Sequence, residues 1–164
     1  KAKGRWVSEA FESMLISNSK ASELAIQLGA SAVTDVTGFG LAGHALEMAK
    51  ASQLDIELDS EQLPVLNGAL ELSKSGQKSS LYEANAANFL KQGELLTPIA
   101  KLMFDPQTSG GLLIGISVEK YQVLLDALIA DGYKSAKVVG RVSQRIIDKE
   151  LDVAHKAEAK LTFI

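Results

Sequence analysis

The chain has 164 residues, 17 basic against 20 acidic side chains, a net charge of −3, no cysteine and 46% hydrophobic residues. That is enough for one compact domain with its own core, with an ordinary globular balance. It excludes disulfides and thiolate chemistry within these residues, offers neither a nucleic-acid surface nor a polybasic membrane patch, and contains no apolar run near the roughly 20 residues of a membrane helix.

The start, Lys1-Ala2-Lys3-Gly4-Arg5, has no methionine and leads into no apolar signal core, so it reads as the interior of a longer, cytoplasmic protein. Trp6, Ala10, Phe11, Met14 and Leu15 share one helical face and predict a helix over residues 6–17. Asn18 or Ser19 is expected to cap a second helix carrying Ala21, Leu24, Ala25 and Leu28, closed by a left-handed Gly29. A strand is expected at 32–36, then a glycine-flanked helix to about Ser52, then a strand around Ile56 and Leu58. Helices are expected at 66–75 and 83–91, and Pro98 interrupts the apolar stretch 95–104. Residues 105–111 form a turn-rich loop before a buried strand at 112–116. A helix over 119–131 turns Tyr121, Leu124, Leu125 and Leu128 inward. Strands at 136–142 and 145–148 follow, and 149–164 is a loose tail until its last four residues. Two strand–helix–strand units emerge, 32–58 and 112–142, and right-handed crossovers would put both strands of each unit in one sheet. The expected fold class is α+β: a mixed sheet of about four strands flanked by helices, partly ferredoxin-like, with residues 1–164 forming a single domain.

Two segments carry chemistry. In Thr34-Asp35-Val36-Thr37-Gly38-Phe39-Gly40-Leu41, an acidic residue near a strand end meets a glycine-rich turn into a helix. Backbone amides and a helix start can receive an anion there, and Asp35 offers the hard oxygen ligand that magnesium accepts. The alternative is that Asp35 caps the turn and the glycines merely allow the bend. In Phe104-Asp105-Pro106-Gln107-Thr108-Ser109-Gly110-Gly111-Leu112-Leu113, carboxylate and hydroxyl groups could line a polar pocket, or the loop could simply end one element and begin the next. His44 and Glu47, three residues apart on a helix, can pair to hold a metal or tune a proton, or form only a local hydrogen bond. His155 reads as solvated, and Asn85 and Asn88 as capping residues. No nucleophile–base–orienter set, P-loop or dinucleotide fingerprint is present.

The first segment, continued through Ala42-Gly43-His44 and Glu47-Met48, resembles the central motif of selenophosphate synthetases (selenide, water dikinases), and the 104–113 segment resembles that family's second motif. Phe39 between two glycines and Gln107-Thr108-Ser109 after Asp105-Pro106 favour this branch over aminoimidazole ribonucleotide synthetase and other relatives. The resemblance implies the C-terminal domain of an enzyme that converts ATP, selenide and water to selenophosphate, AMP and phosphate. It implies Mg2+ and ATP as cofactors of the intact enzyme, bound between an N-terminal domain and this one, and a second subunit as partner. Asp35 matches the one C-terminal aspartate of the magnesium cluster. The lysine and the cysteine or selenocysteine of the family lie in the N-terminal domain, so no catalytic residue is assigned here. The 164 residues alone are expected to bind no cofactor and to lack synthetase activity. The alternatives are a non-catalytic dimerisation or regulatory module of a diverged homologue, and the C-terminal domain of another enzyme of the superfamily.

Overall fold

The computed structural model describes residues 1–87, 89, 96–144 and 160–164. Along them run α1 (Gly4–Met14), α2 (Ser19–Gln27), β1 (Ala32–Asp35), α3 (Gly40–Ser52), β2 (Leu54–Leu58), α4 (Ala69–Lys74), α5 (Tyr82–Ala87), α6 (Pro98–Lys101), β3 (Leu112–Gly115), α7 (Tyr121–Ala130), β4 (Gly140–Gln144) and β5 (Leu161–Phe163). Single 3-10 turns occupy Ser60–Gln62 and Leu102–Phe104.

Local chemistry sets most of these boundaries. Gly29 takes φ 80° just beyond α2, as expected for a residue without a Cβ after a helix. Asn18 sits at the N-cap of α2 but does not cap it with its side chain; the amide instead donates to the Gly110 carbonyl at 2.9 Å. Pro98 starts α6 and does not interrupt a helix, because its missing N–H falls in the first turn, where no partner is needed. The Thr97 hydroxyl accepts from the Ala100 amide at 3.2 Å and caps the same turn. In α7, Leu124 and Leu128 are buried as expected, whereas Tyr121 is exposed. The apolar stripe of α1 is only partly covered: Trp6, Ala10 and Met14 are half-buried, while Val7, Phe11 and Leu15 lie open.

The α+β class holds, with the strands divided between two sheets. β1 pairs antiparallel with β3, placing Asp35 opposite Leu112 and Val33 opposite Ile114. β2 lies between β4, antiparallel, and β5, parallel. Each strand–helix–strand unit therefore sends one strand to each sheet, which corrects the expectation that a unit's two strands share a sheet. Hydrophobic period identifies a strand but carries no information about its hydrogen-bond partner. The expected strand at 136–142 begins only at Gly140, the expected edge strand at 145–148 lies outside the described residues, and the end of the expected tail is β5.

Two cores result. The larger joins Ala42, Ala45 and Ala49 of α3 to Ile56 and Leu58 of β2, Tyr82 and Ala86 of α5, Ala100 of α6, and Met103 and Phe104. The run of alanines lets α3 approach the strand closely, since each presents only a methyl group. Phe104 is fully buried and meets the rings of Tyr82, Phe89 and Phe163 at centroid distances of 6.3, 5.3 and 5.6 Å. The smaller core packs Ala21 of α2 against Leu124 and Leu128 of α7, with Leu112, Ile114 and Tyr133 at its edge. Both chemistry-bearing loops cross between these cores.

Candidate functional site

The first loop, residues 36–39, joins β1 to α3. Val36 is buried, and its amide donates to the Gly111 carbonyl at 2.9 Å, continuing the β1–β3 ladder by one step. The Thr37 carbonyl then accepts from two amides, Gly40 at 3.0 Å and Gln107 at 3.0 Å. One closes the turn into α3; the other ties the turn to the second loop. Gly40 has φ 68°, and a Cβ there would stand 2.7 Å from the Met103 carbonyl oxygen and 3.0 Å from that of Asp105. Its lack of a side chain thus serves the packing of loop on loop. Gly38 differs: a Cβ there would meet nothing within 4 Å, so its backbone borders open space.

Asp35, at the C-terminal end of β1, is exposed, and among the described residues no hydrogen bond or ion pair engages its carboxylate. The capping alternative is therefore not what the side chain does. Asp105 is occupied, its Oδ1 accepting from the Ser79 amide at 3.0 Å. Thr108 and Ser109 are exposed, and Ser109 holds φ 50°, an uncommon conformation for a residue with a Cβ. The second loop thus acts mainly as a brace for the first.

His44 is 8% exposed and does pair with Glu47, at 3.2 Å through Nδ1. Its Nε2 lies 3.2 Å from the Thr37 hydroxyl. A tautomer with the proton on Nδ1 satisfies both contacts: it donates to the carboxylate and accepts from Thr37. One hydrogen bond, from the Thr37 hydroxyl to Nε2, therefore ties the loop that follows Asp35 to α3, while the bond to Glu47 stays within the helix and orients the imidazole. The Phe39 ring lies beside the imidazole at 5.6 Å and is itself 56% exposed. No group of three or more His, Asp or Glu side chains that could hold a metal ion occurs among the described residues. Asp35 thus stands as a lone exposed carboxylate, and any magnesium ion there would need its remaining ligands from elsewhere.

Asn85 does more than cap. Its side-chain amide donates to the Gly38 carbonyl at 3.0 Å and to the Phe104 carbonyl at 3.0 Å, one from each loop. Sequence spacing gives no hint of this bridge, because Asn85 lies 47 residues from Gly38 and 19 from Phe104. Asn88 and His155 lie outside the described residues. Lys1, Lys3 and Arg5 are exposed and far along the chain from either loop, with the Lys3 ammonium 4.7 Å from the Trp6 ring centroid. Near Asn85, the Lys78 ammonium pairs with Glu83, which raises its pKa, and burial raises that of the Tyr82 phenol. No helix among the described residues is long and apolar enough to cross a membrane.

Comparison with known proteins places these loops in a family. The sequence profile of "AIR synthase related protein, C-terminal domain" matches residues 7–149. A selenide, water dikinase of Caldanaerobacter subterraneus subsp. tengcongensis is 39% identical over 143 residues, covering 83% of this chain and 40% of that protein. The selenide, water dikinase of Pseudomonas straminea is 40% identical over 129 residues, 76% of this chain and 36% of the relative. That of Clostridioides difficile is 38% identical over 118 residues, 68% of this chain and 33% of the relative. The chain spans two fifths or less of the length of these curated relatives. On the profile match, which takes in both loops and the strands and helices that carry them, the chain belongs to the AIR synthase-related protein family as its C-terminal domain.

Proposed function

We propose that the chain is the C-terminal domain of a selenophosphate synthetase, acting with an N-terminal domain and a second subunit in the ATP-dependent conversion of selenide and water to selenophosphate, AMP and phosphate. The similarity to selenide, water dikinases over both loops supports the substrate class. The observation that carries the site is the exposed Asp35 carboxylate at the end of β1, unengaged among the described residues and close in sequence to the open ground at Gly38. In that role Asp35 would offer a carboxylate oxygen to magnesium, while Thr37, His44, Gln107 and Asn85 keep its loop in place. A magnesium ion bound there would supply charge neutralisation to a polyphosphate. A single carboxylate leaves most of the ion's hydration shell in place, so the domain alone has no turnover.

The test is Asp35→Asn in the full-length protein, which keeps shape and removes charge. The expected result is a fall in magnesium-dependent AMP formation with an unchanged melting temperature. An unaltered rate and magnesium requirement would remove Asp35 from the site. Loss of folding instead would return it to a capping role.

A further inference from the structure

We infer that Asn85 is a positioning residue that sets the spacing between the Asp35 loop and its bracing loop. A primary amide has two N–H donors diverging from one nitrogen, and here each has a carbonyl from a different loop, at 3.0 Å to Gly38 and 3.0 Å to Phe104. The two acceptors differ in character. Phe104 is fully buried and belongs to the larger core, whereas Gly38 is exposed and faces open space. The bridge therefore ties an exposed glycine to the backbone of the buried core. Gly38 lies three residues beyond Asp35, and the link from the Gln107 amide to the Thr37 carbonyl, at 3.0 Å, lies one residue nearer. Together the two contacts hold the turn at adjacent residues, so the direction in which the chain leaves Asp35 is fixed from α5 and the second loop at once.

An aspartate at this position is the informative replacement. It keeps the shape of asparagine but sets carboxylate oxygens against two carbonyl oxygens, so both hydrogen bonds become repulsions. Asn85→Ala removes the donors without adding charge and serves where the aspartate variant does not fold.

The first measurement uses the 164-residue chain and needs no catalysis. Amide hydrogen exchange is followed at Gly40 and Gln107, whose N–H groups both donate to Thr37, and at Ile56 and Ile164, which donate within the three-stranded sheet. The expected result is at least about tenfold faster exchange at Gly40 and Gln107 with the sheet amides unchanged, as for local opening. Equal loss everywhere, unfolding of both variants, or no change at the loops would each overturn the inference. The second measurement rests on the proposed function. In the full-length protein, loss of a residue that orients a metal ligand lowers turnover or metal affinity by about 10–100-fold. An unchanged magnesium requirement and kcat in a variant that melts lower would show a merely structural role. If the wild-type full-length protein lacks turnover of ATP with selenide, the proposed function fails, while the exchange result still decides the role of Asn85.

Discussion

Replacing Gly40 by alanine probes the junction of the two loops, and Gly38→Ala is its control two residues away. At Gly40 the backbone has φ 68°, and the new methyl group would stand 2.7 Å from the Met103 carbonyl oxygen, 3.0 Å from that of Asp105 and 3.0 Å from the Phe104 carbonyl carbon. Those neighbours are all backbone atoms, two of them belonging to the fully buried Met103 and Phe104, so they cannot swing aside as a side-chain tip would. The left-handed conformation costs an alanine about 1–2 kcal/mol. Overpacking against a fixed wall adds about 1–3 kcal/mol. The two give about 2–5 kcal/mol, and at about 2–4 °C per kcal/mol for a domain of this size the midpoint falls by about 4–20 °C. At Gly38 φ is not left-handed and nothing lies within 4 Å of the added carbon, so the change should stay within about 0.5 kcal/mol. Thermal melts followed by circular dichroism and by calorimetry measure both. Equal midpoints for the two variants would refute the packing of the second loop on Gly40.

Thr37→Val keeps the shape of the side chain but removes the hydroxyl, leaving the buried His44 Nε2 without its partner; it should cost about 1–3 kcal/mol, read as a lower urea midpoint at constant m-value. Phe104→Ala removes a fully buried ring that meets three others, and should cost about 3–5 kcal/mol in the same assay. A loss below about 1 kcal/mol would mean that the core is loosely packed there. Burial raises the Tyr82 phenol above its ordinary value of 10.0, so the folded chain holds that proton to higher pH than the unfolded chain does. The stabilisation it carries is complete below the unfolded pKa and disappears as pH rises through the folded one. Tyrosinate absorbance should show one phenol ionising late in the wild type and absent from Tyr82→Phe; a difference signal centred at the ordinary value would contradict the burial.

Elements whose cause is local were legible in the letters. The apolar period of α2 and α7, the glycine after α2 and the strand around Ile56 each depend on neighbours within a turn or two. The place of Asp35 at a strand end was legible too, because the change from alternating residues to glycines marks the boundary, while its choice between capping the turn and standing free was not. The division into two sheets was not, since β1 finds its partner some 80 residues away and β2 finds β5 about 105 residues away. The brace made by Asn18, Asn85 and Asp105 was hidden for the same reason. Each is a short polar side chain beside a helix, where local capping is the usual role, and only the folded backbone brings a more distant carbonyl or amide within reach. His44 and Glu47 were read correctly as a pair, but the hydroxyl on the other ring nitrogen, which makes the pair a tether for the loop, comes from outside the helix.

The central place of β2 has a consequence for synthesis. Its two neighbours, β4 and β5, both follow it by more than 80 residues in the order of translation, so β2 leaves the ribosome long before either edge can be closed. Until residues 161–163 emerge, one side of that strand offers free amides and carbonyls to any extended segment nearby. Closure over such separations is slow, because most of the loop entropy must be lost before the first pairing forms. A nascent chain stalled short of β5 is therefore open to mispairing at that strand.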